Sequence, residues 1–229
     1  MFLQWDKKIQ NFYQIEKEKE FMKLHISYNF ADLDRALALA EQTAPYADIL
    51  GVGSLLIVKY GVHAIKAFRT AFPNKELFAE LHIVEKGEES VTMMAQAGAN
   101  YVSVLAGAHL STIKKAVEAA KQFDIKIALD LLDAQSVGQS ALDAKTIGAH
   151  MIILQRYHAE QREEDANQIE NGWRDVKDNT NLPIFVTGKI DDQTIEQIIK
   201  LKPQGIMIGT AITKADNPAQ KASYFKSRM

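Results

Sequence analysis

The chain contains no cysteine. That absence excludes disulfides, thiolate metal sites and cysteine nucleophiles together, and with them a disulfide-stapled secreted domain. Net charge is also nearly absent: 27 Lys and Arg against 29 Asp and Glu leave −2 with His neutral. No basic block or stripe offers the footprint a nucleic-acid binder needs. No apolar run approaches the roughly 20 residues of a membrane span. The opening residues, MFLQWDKKIQNFYQIEKEKEF, lack an apolar signal core and are too acidic for a usual transit peptide. Proline occurs only five times, and Pro45, Pro73, Pro183 and Pro203 fall between apolar segments, where they do least harm. What is left, 229 residues at 47% hydrophobic and 24% charged, suits one soluble globular domain of a reducing compartment, the cytoplasm.

Within it, short Val- and Ile-rich runs alternate with longer amphipathic segments. The runs are 24–29, 47–52, 77–84, 100–106, 125–132, 150–155, 183–188 and 205–210, each of a length that suits a buried strand. Between the first two, Leu33, Ala36, Leu37 and Ala40 form one helical face, with Asp32 and Asp34 in the first turn. A weak repeat runs through AGANYVSVL (97–105), IGAHMIIL (147–154) and KPQGIMIG (202–209), each placing a Gly before a strand as a helix C-cap would. A spacing of about 26 residues per strand predicts a closed (β/α)₈ TIM barrel over residues 23–229. An open doubly wound sheet is the alternative, but no GxGxxG or P-loop string occurs. Residues 1–22 stand apart: Trp5, Ile9, Phe12 and Ile15 are spaced for one helical face, which predicts an N-terminal helical extension.

Strand parity sorts the polar groups. Ala79, Leu81 and Ile83 are apolar, so Glu80 and His82 are expected to point into the barrel. The same test turns Ser27, Asn29, Ser103, Asp130, Gln155 and Thr187 inward. They lie toward strand C-termini, where barrel enzymes build their sites. Two glycine-containing turns, TGKI (187–190) and IGTAI (208–212), follow the last strands, a recurrent position for a phosphate site. Among the remaining histidines, His25 reads as a bottom-layer core residue and His109 as an exposed first-turn residue. His158 and Arg156 fall in the loop after strand six, over the barrel mouth.

The segments ADILGVGSLLI, AELHIVEKG, VLAGAHLSTIKKAVEAAK, VTGKI and IGTAITKADNPAQKASYF resemble the orotidine 5'-phosphate decarboxylase suprafamily. The likeness is closest to the branch of hexulose-6-phosphate synthase and 3-keto-L-gulonate-6-phosphate decarboxylase, and it runs from about Met22 to the C-terminus. It implies a homodimeric barrel whose sites lie at the subunit interface and take a small phosphorylated sugar. The phosphate turns correspond to Gly188 and Lys189, then Gly209 and Thr210. The reacting end differs. The family's strand-one Asp is Asn29, its strand-two Glu is Gly51, and its Asp-x-Lys-x-x-Asp signature reads Glu80, His82 and Glu85. The strand-six His is Gln155, and a later Arg is His158.

The resemblance implies Mg²⁺ between the strand-two and strand-three carboxylates. With Gly51 in one of those places, Glu80 is the carboxylate left to ligate it; Glu80 and His82 with Glu85 from a second subunit would suit a transition metal better. His82 in place of Lys brings an acid or base that titrates near neutral pH. The expected function is a lyase on a sugar phosphate, working through an enediolate in aldol or decarboxylation chemistry. His82, Glu80, Glu85, Asp130 and Asn29 stand at the reacting end, and Gln155, His158 and Arg156 contact substrate. Two alternatives are a catalytically inactive phosphosugar-binding paralogue and orotidine 5'-phosphate decarboxylation.

Overall fold

The computed structural model of the protein describes residues 22–156 and 168–229. The helical extension expected over residues 1–22 lies, apart from Met22, outside the described residues. Eight parallel strands form a closed barrel in sequence order: β1 Lys23–Tyr28, β2 Ile49–Val52, β3 Glu76–Ile83, β4 Tyr101–Leu105, β5 Lys126–Asp130, β6 Met151–Gln155, β7 Ile184–Thr187 and β8 Gly205–Ile208. The ring closes where β8 pairs with β1. Helices lie between successive strands, so the chain is a (β/α)₈ TIM barrel.

Local sequence explains the elements. The helix Leu33–Thr43 starts where Asp32 Oδ1 accepts from the Arg35 N–H at 3.0 Å, filling one of the donors a helix start leaves open. It buries Leu33, Ala36 and Ala40 of the expected face, and Leu37 packs half-buried against the core. Helices Gly87–Ala97 and Val137–Ile147 end at Gly98 and Gly148, both left-handed at φ 103° and 90°. The third glycine of the repeat has a different role. Gly205 opens β8, and a Cβ there would lie 2.2 Å from the Phe185 ring, so glycine provides room for an aromatic. Lys202 takes the left-handed turn instead, at φ 56°.

Two apolar layers hold the barrel. The larger packs the outer faces of the strands against the helices. The smaller fills the lumen with Ile49, Phe78, Tyr101, Ala128, Met151, Ile153, Phe185 and Met207. Phe78 and Tyr101 stack with ring centroids 5.6 Å apart and planes within 3°. This layer is the floor beneath the polar end of the barrel. Phe78→Ala, which empties its centre, should cost about 3–5 kcal/mol. Urea unfolding would show it as a lower midpoint at unchanged slope; a loss under about 1 kcal/mol would mean a lumen able to collapse around the gap.

Candidate active site

Above the lumen floor, the inward side chains turn polar on six strands at once. Ser27, Glu80, Ser103, Asp130, Gln155 and Thr187 stand at or near the C-terminal ends of β1, β3, β4, β5, β6 and β7. Alternation explains the layering, because each is two residues beyond an inward neighbour such as Phe78, Tyr101, Ala128, Ile153 or Phe185.

β3 departs from regular pairing where the site needs it. Ala79 pairs with Val102 and Ile83 with Val104, so four steps along β3 match two along β4. Within this bulge His82 has φ 51°, a left-handed backbone that costs a side-chain-bearing residue energy. Its N–H leaves the ladder and donates to Ser103 Oγ at 2.9 Å. The turn carries the ring to Asp130, with Nδ1 3.1 Å from Oδ2. That contact is close but off the preferred line of a hydrogen bond, so the two form a tight ion pair.

Asp130 is fully buried and held from two other sides. The Leu132 N–H donates to Oδ1 at 2.9 Å, and Gln155 Nε2 reaches both oxygens at 3.1 Å. Contact with the Asp130 carboxylate pushes His82 above its ordinary value; burial opposes this, and the charges of Asp130 and Glu80 add to it. The partner that favours protonated His82 is chiefly Asp130. Glu85, expected at the reacting end, is exposed beyond the end of β3.

His25 is not merely core. It is fully buried in the lumen, 5.0 Å from the Phe78 ring, but its Nε2 lies 2.9 Å from Glu80 Oε1. Ser27 Oγ donates to Glu80 Oε2 at 2.7 Å. Burial would raise the Glu80 carboxyl; the hydrogen bond and charge of His25, the Ser27 hydroxyl and the charge of His82 outweigh it and hold it below its ordinary value. The sequence signal for this cluster was Gly51, a glycine inside a buried strand, which marks a close approach. A Cβ at Gly51 would meet His25 Nε2 at 2.1 Å and Glu80 Oε1 at 2.2 Å.

These contacts bear on the implied metal. Both Glu80 oxygens are engaged, Gly51 offers no ligand, and among the described residues no group of three or more His, Asp or Glu is placed to hold an ion. The donor set that this chain itself supplies around Glu80 does not fit Mg²⁺.

Other expected residues divide. Asn29 is exposed, and its Oδ1 accepts from the Leu55 N–H at 3.0 Å and from Ser54 Oγ at 3.4 Å. It thereby caps the helix Ser54–Tyr60, whose own cap residue, Gly53, has no side chain to do so. Arg156 donates through Nη1 to the Lys189 carbonyl at 3.1 Å. Gly188, at φ 98°, is required twice over, since a Cβ would also lie 2.3 Å from the Arg156 carbonyl. Because β7 and β8 are paired neighbours, Gly188 and Lys189 stand beside Gly209 and Thr210 at one end of the barrel. His158 lies outside the described residues.

Gly51→Ala should destabilise by about 1–3 kcal/mol through overpacking. The loss should shrink when His25→Ala is added, a coupling that chemical denaturation of the four proteins would read. Additive losses would contradict the close packing of these two positions.

The surroundings of this site can be set against known proteins. The family described as "Orotidine 5'-phosphate decarboxylase / HUMPS family" matches residues 22–225. The chain is 27% identical over 210 residues to a 3-hexulose-6-phosphate synthase of Bacillus subtilis (strain 168), covering 90% of this chain and 97% of that one. It is 29% identical over 206 residues to the enzyme of the same name from Mycobacterium gastri, covering 90% and 99%. A crystal structure of 3-hexulose-6-phosphate synthase superposes with a TM-score of 0.83 at 28% identity, over 91% of this chain and 100% of that one. A closed eight-stranded barrel with a polar ring at its C-terminal mouth and a match spanning nearly its whole length leave one assignment: the chain belongs to the orotidine 5'-phosphate decarboxylase / HUMPS family.

Proposed function

We propose that the protein is a lyase that makes or breaks a carbon–carbon bond beside the carbonyl of a small phosphorylated sugar, through an enediolate. The observation that carries this reading is the His82–Asp130 pair, a histidine turned toward a buried carboxylate by a strand bulge at the barrel mouth. Relatives named 3-hexulose-6-phosphate synthase support the substrate class.

The chemistry follows from such a sugar's structure. A 3-ketohexose 6-phosphate is a β-hydroxy ketone across C1, C2 and C3. When the C1 hydroxyl loses its proton and the C1–C2 bond breaks, C1 departs as formaldehyde. The electron pair passes through C2 to the C3 oxygen, giving an enediolate. Protonation at the former C2 then gives ribulose 5-phosphate, and condensation is the reverse. Nδ1 of His82 faces Asp130, which leaves Nε2 for substrate. As an imidazolium it stabilises the enediolate oxygen and can transfer a proton; Asp130 fixes ring and charge, and Gln155 fixes Asp130. Lys189 and the backbone of Gly188, Gly209 and Thr210 take the phosphate, with Arg156 bracing the Lys189 turn. Asn29 serves the site by capping, and Glu80 by the charge it places near His82.

The protein acts as a homodimer with its sites beside the interface. Leu55, Val58, Val84 and Leu110, exposed on the units that follow β2, β3 and β4, support that face, and Glu85 stands on the same side for a second copy. No helix among the described residues is long and apolar enough to cross a membrane; the location is the cytoplasm. Residues 23–229 act as one barrel domain, with residues 1–22 as an accessory segment.

Formaldehyde consumption with D-ribulose 5-phosphate tests the reaction. The wild type should turn over, and His82→Gln should lose about 10²–10⁴-fold in kcat/KM. Sugar binding without turnover would replace this reading by that of a binding paralogue, which the substituted carboxylates at Asn29 and Gly51 favour.

A further inference from the structure

We propose that His25 occupies the place a divalent cation would need, so that the Ser27–Glu80–His25 cluster is an internal substitute for a metal and the site works on its phosphosugar metal-free. For its catalytic consequence this rests on the lyase reading; the occupancy itself does not.

Three observations converge on it. Gly51 has no side chain, and the volume a Cβ would enter is filled from two directions, by the His25 ring and by the Glu80 carboxylate. Position 51 is where the family resemblance implies a carboxylate ligand. Here the strand donates space instead of an oxygen, and the two changes are sterically linked: a side chain at 51 and the ring of His25 exclude one another. Second, each oxygen of Glu80 already has a donor, His25 Nε2 at 2.9 Å and Ser27 Oγ at 2.7 Å. A cation would have to displace one of these in a carboxylate only 5% exposed. Third, the His25 ring is fully buried against Phe78, and its Nδ1 has no hydrogen-bond partner among the described residues. With Nδ1 sealed in the core, Nε2 is the atom through which the ring meets a polar group among the described residues, so the ring acts as a fixed donor to Glu80.

The cluster therefore neutralises Glu80 by hydrogen bonding where a metal would do so by coordination. It leaves His82, two residues along the bulged strand, as the group presenting positive character to an enediolate oxygen. Because His25 is packed against the lumen floor, the substitute is built into the core of the barrel.

The test uses the full chain and Mn²⁺ as a paramagnetic probe for hard-cation sites. Spin resonance of free Mn²⁺ should show no specific binding by the wild type at about millimolar ion, with or without D-ribulose 5-phosphate. The His25→Ala/Gly51→Glu variant, which vacates the ring and restores a carboxylate, should acquire a site with affinity at least about tenfold above the wild type. Calorimetric affinity for D-ribulose 5-phosphate should be equal in Mg²⁺ and in chelator. One equivalent of Mn²⁺ bound by the wild type and lost in Glu80→Gln would overturn the proposal. So would a loss of about tenfold or more in sugar affinity on chelation, or a folded double variant that binds no ion. Failure of the lyase reading shows separately, as absence of sugar binding and turnover in every condition while the Mn²⁺ results stand.

Discussion

The site depends on a mismatch in strand pairing. Closure of an eight-stranded barrel ties β3 to β2 on one side and β4 on the other, yet β3 uses four residues where β4 uses two. The excess must leave the ladder, and it does so at the mouth. His82 takes up the strain in a left-handed conformation, and Ser103 accepts the N–H that no strand partner can receive. Without the bulge the ring would continue along a regular strand; with it, the ring meets Asp130. A β-bulge beside a site re-aims a side chain, and this one turns an imidazole toward a carboxylate that Gln155 and the Leu132 N–H have already fixed.

The lower part of the barrel supports this through packing. Phe78 carries the stack with Tyr101 on one side and the His25 ring on the other, so the apolar floor and the Glu80 cluster share one aromatic. Two buried carboxylates, Glu80 and Asp130, would be costly alone. Each is instead engaged from several sides: His25 and Ser27 donate to the first; Gln155 and the Leu132 N–H donate to the second, and His82 pairs with it. One carboxylate is locked and the other poised beside a titrating ring, and that asymmetry is what two-carboxylate sites use to divide roles.

The fold was legible because its signals are local and repeated: a buried strand about every 26 residues, and glycines at 98 and 148 where helices must end left-handed. The inward ring was legible too, since alternation alone picks out Ser27, Glu80, Ser103, Asp130, Gln155 and Thr187. The bulge was hidden by its own size. Adding two residues preserves parity, so Ala79, Leu81 and Ile83 still read as an unbroken apolar face. Asn29 misled because a residue one step past a strand can turn aside to serve a neighbouring helix. His25 looked like core because it is core; that it also holds Glu80 shows only when the space at Gly51 is measured. Glu85 and the metal followed from resemblance rather than from anything local in the sequence, and within one chain Glu80 meets His25 and Ser27 instead.

The central claim is that Asp130 sets the charge of a functional His82. Contact with Asp130 raises His82, so protonated ring, and the activity that needs it, should persist at low pH and fall as pH rises through the raised value. The decisive measurement is the pH dependence of kcat/KM for the wild type and for Asp130→Asn, which keeps the shape and removes the charge. The falling limb should move to lower pH by about one unit or more in the variant. A limb that stays in place, or an Asp130→Asn profile identical to the wild type, would contradict the account.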